Sequence, residues 1–183
     1  MKEYIEALLF ASPEPLTQTQ VNGIFSGENI NLNEIVSELN LDYKKAEKLI
    51  YIKQIANGYQ ILTKPDCHLY IQRLYNKSRK IQLTQPALEA LSVIAYKQPI
   101  SKIDIEYIRG VNSDSVVKTL LEKDLITIKG RENSPGRALL YGTTQAFLEC
   151  FGLNKITDLP KLKELTELIG EGNIPTTLFD ATE

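Results

Sequence analysis

The residues of this chain that could carry out chemistry are few and scattered. His68 is the only histidine among 183 residues, and Cys67 stands beside it. A thiol with an imidazole is the pair from which a nucleophilic cysteine is built, the imidazole taking the thiol proton. Such a base also needs a group to orient it, and the sequence identifies no partner for His68. The histidine therefore reads as a surface or helix-edge residue. Cys150 lies in an apolar helical stretch and reads as core. Two cysteines this far apart make neither a metal-ligand spacing nor a disulfide framework. The ten glycines are scattered, so no phosphate-cradling loop is present. No carboxylate pair stands out from solvated helix faces. These residues point away from an enzyme and call for no metal and no cofactor.

A second group of residues is suited to binding. Lys129, Arg131 and Arg137 fall close together in sequence, with Glu132 opposing them. Three cations suit a phosphate backbone or an acidic partner, and on an exposed loop they can simply meet water. Tyr96, Tyr107 and Tyr141 have rings that can stack on bases. An apolar ring with a polar end also serves half-buried packing and protein interfaces, and their spacing favours that use. The run KSRK at 77–80 reads as a solvated linker.

These side chains are positioned by a helix–turn–helix–turn–helix pattern followed by two strands, between Thr84 and Thr144. Thr84 caps a helix whose buried face carries Leu88, Leu91, Ile94 and Ala95. Pro99 marks a turn, and Ser101 caps a second helix with Ile105 and Ile108 inward. Gly110 lets the chain turn. Asn112 or Ser113 opens a third helix with Val116, Val117, Leu120 and Leu121 packed. LITIKG and ALLYG form the strands of a wing, with Pro135-Gly136 at its turn. Thr143 or Thr144 caps a short helix carrying Phe147, Leu148 and Phe151. A last amphipathic helix is expected from Pro160 to Ile169, and the tail beyond Gly170 is expected to be mobile without a partner.

The first half repeats this plan. At an offset of 84 residues, Ala11 falls over Ala95, Pro15 over Pro99, Leu16 over Ile100, Thr17 over Ser101, Val21 over Ile105 and Ile24 over Ile108. At an offset of 81, Ile35 falls over Val116 and Leu39 over Leu120. Ile5, Leu8, Leu9 and the flanking Tyr4 and Ala11 make one face of the first helix, which Pro13 and Pro15 end. Thr17 caps a second helix running through Val21 and Ile24 to Phe25, and Gly27 breaks it. Asn31 caps a third, with Leu32, Ile35, Val36 and Leu39 on one face. LIYIKQI and YQILTK then form a hairpin, with Asn57-Gly58 at a tight primed turn. A further helix spans Leu69 to Tyr75. The expected fold is mainly α with small β-wings, as two tandem winged-helix domains.

A winged helix holds either DNA or protein. In DNA readers the third helix enters the major groove and exposes Arg, Lys, Asn or Gln. Here its outer face carries Ser113, Asp114, Ser115, Lys118, Glu122, Lys123 and Asp124, three acids against two lysines. The equivalent helix of the first half shows Asn33, Glu34, Ser37 and Glu38. The net charge of −2 and pI of about 5.6 also weigh against a protein built to grip phosphates. The N-terminal MKEYIEALLFAS contains Glu3 and Glu6 and lacks the pattern of a signal peptide. No apolar run approaches the roughly 20 residues of a membrane span, so a cytoplasmic protein is expected.

Several blocks carry a resemblance to a known family. They are IEALLFAS at 5–12, NGYQILTKP at 57–65, ALEALSVIAYKQPISKIDIEYIRGV at 87–111, LITIKGR at 125–131, PGRALLYGTTQAFLECFGL at 135–153 and DLP at 158–160. In this order they resemble the segregation and condensation protein B family, ScpB, over nearly the whole chain to about Lys161. Asn57 stands where the family often has glycine, and Ala138 where it often has proline.

The resemblance implies a non-enzymatic subunit of the bacterial SMC–kleisin complex, associated with the nucleoid and acting in chromosome condensation and segregation. It implies a homodimer joined through a domain at 1–80. It also implies a domain at 81–160 that binds the kleisin ScpA, and through it the SMC ATPase, with 161–183 as a C-terminal helix and tail. DNA contact would be weak and non-specific. Tyr96, Gln98, Arg109, Arg131, Arg137 and Tyr141 are the candidate partner-binding residues, although Arg109 could instead tie the helical turn together and Tyr141 could fill the wing. The alternative is a winged-helix transcriptional regulator that binds DNA.

Overall fold

The structure is a computed structural model that describes residues 1–75 and 83–161. The expected linker at 77–80, nearly all of the helix expected from Pro160 to Ile169, and the tail lie outside the described residues. The chain divides into two units, Met1–Arg79 with Gly152–Lys155, and Lys80–Phe151 with Ile156–Glu183.

The first unit contains α1 (Lys2–Ala11), α2 (Gln18–Ile24), α3 (Leu32–Lys45), β1 (Ile50–Ile55), β2 (Gly58–Thr63), a 3-10 turn (Pro65–Cys67) and α4 (His68–Tyr75). Two of its α-helices, α2 and α3, begin where short polar side chains satisfy the free N–H groups of a first turn. The Gln20 N–H donates to Thr17 Oγ1 and the Thr17 N–H donates to Gln20 Oε1, a reciprocal capping box. Asn31 Oδ1 accepts from the N–H groups of Asn33 and Glu34. Helices α1, α2 and α3 bury Ile5, Leu9, Val21, Leu32, Val36 and Leu39 in one cluster with Ile52 of β1. Ile24 is 54% exposed, so Phe25 rather than Ile24 completes the inner face of α2. Phe25, the C-cap of α2, lies four residues after the buried Val21 and shares its face, whereas adjacent helical positions are turned by about 100° from one another.

Two polar side chains tie this unit together. The Asn40 amide donates to Ile52 O at 2.9 Å and accepts from Ile52 N at 2.8 Å, fastening α3 to β1. Tyr43, only 3% exposed, donates its hydroxyl to Glu6 Oε1 at 2.8 Å and joins α3 to α1. Burial, reinforced by the Glu6 carboxylate, pushes the Tyr43 phenol well above its ordinary range.

The hairpin forms as expected, but its turn sits one residue earlier. Ala56 and Asn57 hold the positive φ angles, 53° and 63°, and Gly58 already pairs with Ile55. Gly58 has another role, because a Cβ there would lie 2.7 Å from Pro15 O. That close approach lets Leu16 and Tyr59 exchange two backbone hydrogen bonds of 2.8 Å, a third-strand stub beside β2. Within the same unit, the Ala56 N–H donates to Leu153 O, and the Asn57 N–H to Asn154 Oδ1, both at 2.9 Å.

The second unit contains α5 (Gln85–Lys97), β3 (Ile100–Ser101), α6 (Lys102–Arg109), α7 (Asp114–Glu122), β4 (Ile126–Arg131), β5 (Leu139–Thr143), α8 (Gln145–Cys150) and a 3-10 turn (Ile156–Asp158). Its sheet is antiparallel in the order β3–β5–β4. Ser101 Oγ accepts from the Asp104 N–H to cap α6, and Gly110 ends that helix at φ 71°, a conformation an L side chain resists. The internal repeat is physical. Leu16 and Ile100 both form the stub that pairs with the second wing strand. Thr17 and Ser101 are both N-caps, and Val21 and Ile105 are both fully buried.

Several side chains of this unit depart from the expected burial. Ala87 and Ala90 line the buried face of α5, whereas Leu88 is half-buried. Ile108 is 49% exposed, leaving Ile105 as the buried residue of α6. Ser113, expected on the outer face of the third helix, is fully buried. Cys150, expected in the core, is exposed at the end of α8, where Phe147 takes the buried position.

Candidate protein-docking surfaces

The six candidate residues do not converge on one site. Arg109 is internal, its side chain only 5% exposed. Its Nη1 donates to Ser113 Oγ at 2.7 Å and its Nη2 to Glu89 Oε2 at 3.2 Å, while Nε has no partner among the described residues. The guanidinium thus ties the α6–α7 turn to α5, and the burial of Ser113 follows from serving as its acceptor. Charged hydrogen bonds of this kind hold a turn more firmly than neutral ones.

Gln98 is likewise committed to its own unit. Its Oε1 accepts from the Thr143 N–H at 2.8 Å, and its Nε2 donates to Thr143 Oγ1 at 3.0 Å and to Ala95 O at 3.2 Å. This fastens the end of α5 to β5. Tyr96 is half-buried and donates its hydroxyl to Pro160 O at 2.7 Å. Tyr96 and Gln98 share an open hollow of about 480 Å³ with Ile156, Leu159 and Pro160.

Tyr141 belongs to a separate groove of about 420 Å³ between α6, α7 and β5. Val117, Leu121, Leu139 and the 8%-exposed ring of Tyr141 line it, and Ile103, 68% exposed, stands at its edge. Its polar lining is Lys102, Asp114 and Lys118. Lys102 donates to Asp114, which raises the lysine pKa and, with a further hydrogen bond from Asn112, holds the aspartate below its ordinary value. On α6 Tyr107 is 88% exposed, and Val111, just past the end of that helix, is 54% exposed. Tyr107 is thus a surface ring rather than a half-buried one.

This apolar groove carries a signal that sequence reasoning missed. Ile103 and Tyr107 lie four residues apart, one stripe of a helix, while Ile105 and Ile108 mark the adjacent face. Sequence alone does not say which stripe faces inward.

Arg131 and Arg137 are both exposed on the second wing. Arg131 Nη1 donates to Arg137 O at 3.2 Å, and Arg137 follows Gly136 out of the expected turn with a φ of 45°. His68 is exposed and Cys67 half-buried at the start of α4. On α7 the outer face keeps Asp114, Ser115, Lys118 and Glu122, and Lys118 pairs with Glu122 at 3.8 Å. Among the described residues, no helix is long and apolar enough to cross a membrane.

Helix–turn–helix units with a wing, repeated twice, define a tandem winged-helix protein, one with acidic third helices and an apolar groove beside the second. The family model described as segregation and condensation complex subunit ScpB matches residues 3–162, and the chain belongs to that family. It is 44% identical to segregation and condensation protein B of Syntrophotalea carbinolica, over 99% of this chain and 91% of that one. With the protein of the same name from Desulforamulus reducens it shares 44% identity, over 89% of this chain and 90% of the other. A crystal structure of ScpB from Mycobacterium tuberculosis is 29% identical, covering 83% of this chain and 94% of that one, with a TM-score of 0.40.

Proposed function

We propose that this chain is a non-enzymatic subunit of the SMC–kleisin complex, acting as a homodimer through its first unit and receiving a segment of the kleisin ScpA on its second. The SMC ATPase is then reached through the kleisin, and the chain works at the nucleoid. The observation that carries the docking reading is the groove between α6, α7 and β5. It has an apolar floor, an exposed Ile103 at its edge and polar groups along its lining. Grooves of this kind receive a segment with a few apolar anchors, and the polar rim sets its register. Ala138 and Leu139, which line the groove, follow Arg137 directly in the chain. Tyr141, Arg131 and Arg137 are therefore the candidates that best fit one surface, with Tyr96 and Gln98 at a second hollow. Arg109 acts indirectly, by holding α6 and α7 in place.

The acidic outer face of α7 opposes insertion into a DNA groove, since its carboxylates would meet phosphates. The wing cations leave room for weak, non-specific contact with DNA. Co-expression with the kleisin, followed by measurement of complex mass, tests the reading. Ile103→Glu is expected to weaken capture at least tenfold, as is Arg131→Glu combined with Arg137→Glu. Undiminished capture by the arginine double variant would remove the wing from the site. Tight binding to short duplex DNA that falls steeply with salt, together with no kleisin capture, would favour a DNA-binding regulator instead.

A further inference from the structure

The negative balance of this chain belongs to one segment of its sequence. Residues 164–183 hold Glu164, Glu167, Glu171, Asp180 and Glu183, and no lysine or arginine. The chain has 23 acids and 21 lysines and arginines, so residues 1–163 keep 18 acids against 21 cations, a net +3. The same segment carries Leu178 and Phe179 directly before Asp180. Apolar anchors with carboxylates beside them are what the groove between α6, α7 and β5 lacks. Its floor is Val117, Leu121, Leu139 and Tyr141. The one acid of its lining, Asp114, already accepts from Lys102. Lys118 is held only by a surface pair with Glu122 at 3.8 Å, the kind that contributes little. Arg137 directly precedes Ala138 and Leu139 of the lining. Among the described residues, neither Arg137 nor the exposed Arg131 forms an ion pair.

The segment is also long enough. Leu178 is 17 residues beyond Lys161, the last described residue before it. That length of chain spans up to roughly 55 Å. A unit of this size has a radius of gyration of about 12 Å, so every face of the second unit is within reach. A short tether holds its ligand at an effective concentration on the order of 1 mM. An intrinsic affinity of only ~0.25 mM then fills the groove about four-fifths of the time. A competing ligand finds about one groove in five open, and its apparent affinity falls about fivefold.

We infer that Leu178 and Phe179 seat in the chain's own α6–α7–β5 groove, with Asp180 and Glu183 set against the wing arginines and Lys118, and that they hold this surface closed until a partner displaces them. The inference rests on the docking reading of the groove and adds its regulation. The chain has no tryptophan, so Phe179→Trp places a single fluorescent reporter in the segment. Its emission in the full chain is expected to be blue-shifted from that of free tryptophan. Adding Ile103→Glu, or Asp180→Lys with Glu183→Lys, is expected to return it to the solvent value. Ile103 is 68% exposed, so the helical circular dichroism should be retained. In the chain without the reporter, Leu178→Ser with Phe179→Ser is expected to raise the kleisin affinity about fivefold. Solvent-like emission in the full chain overturns the inference, as does a blue shift that Ile103→Glu leaves in place. Kleisin capture by the same chain then leaves the docking reading standing. An unchanged kleisin affinity in the Leu178→Ser, Phe179→Ser variant overturns the closure. A blue shift released by Ile103→Glu, in a chain that captures no kleisin, upholds the seating and overturns the docking reading.

Discussion

The two wings show how one plan can be finished differently. In the first unit the strands close through Ala56 and Asn57, and the next residue, Gly58, lies against Pro15. In the second the strands run on to a longer turn, where the Arg137 N–H donates to Ser134 O, and Arg131 and Arg137 are exposed. The first wing is drawn back onto its own unit and the second presents cations outward. The helices diverge in the same way. The first unit carries most of its exposed large apolar side chains on α1 and α4, and the second carries most of its own on α6. Beneath these surfaces part of the core corresponds: Leu16 with Ile100, Val21 with Ile105 and Leu39 with Leu120 are buried in both units, whereas Ala11 is exposed and Ala95 buried, and Pro15 is buried and Pro99 exposed. Burial is demanded by the fold in both copies, whereas the exposed faces are free to follow different partners.

Removing matched core side chains should give the largest effects and should strike one unit at a time. Leu39 and Leu120 are equivalent and nearly inaccessible, at 2% and 0% exposure. Leu39→Ala and Leu120→Ala are each expected to cost about 2–5 kcal/mol. Hydrogen exchange should show lost protection in the substituted unit only. Loss in both would mean that the units fold as one and would weaken the comparison.

The wings should separate next. Gly58→Ala forces a Cβ against Pro15 backbone and is expected to cost about 1–3 kcal/mol. Gly130→Ala in the second wing meets nothing within 4 Å and should stay within about 0.5 kcal/mol. Urea denaturation of the two variants measures the difference, and equal effects would remove the contrast between a packed wing and a projecting one.

The paired N-caps come third. Thr17→Ala and Ser101→Ala should each cost about 1 kcal/mol. Similar losses, read by hydrogen exchange at α2 and α6, would show that the repeat extends to capping energetics as well as to burial.

The smallest effect is electrostatic. Lys2 donates to Asp42 in the first unit and Lys102 to Asp114 in the second, and each hydrogen bond holds the carboxyl below its ordinary 3.8. A carboxyl depressed by folding contributes stability above its unfolded pKa and loses it as pH falls through the lower, folded value. Both units should therefore weaken slightly as pH drops below about 4. The loss should be absent in Asp42→Asn and Asp114→Asn and should shrink with added salt, since both pairs are at the surface. Thermal melts at low ionic strength across that range provide the measurement.

Much of the fold was legible because its signals are local. Thr17, Asn31, Ser101 and Thr144 are caps by side-chain chemistry, and proline and Gly110 mark turns by backbone geometry alone. The offset repeat was legible because matched core positions must be apolar in both units. Less of the site was legible. Arg109 reads from the sequence either as a partner-binding residue or as a tie within the helical turn, and Gln98 as a partner-binding residue, since nothing nearby in sequence shows that Glu89, Ser113 or Thr143 would enclose them.

The sequence by itself determined the helices, both hairpins, the doubling of the winged helix, and the family, through blocks of residues spaced along nearly the whole chain. Tertiary structure decided which stripe of α6 faces solvent, that Ser113 is buried and Cys150 is not, that the first turn falls at Ala56 and Asn57, and that α4 packs so little against the other described residues of its unit. The physical reason is range. Caps, turns and periodicity depend on neighbours a few residues away, while burial of a given stripe depends on elements brought alongside only when the chain has folded.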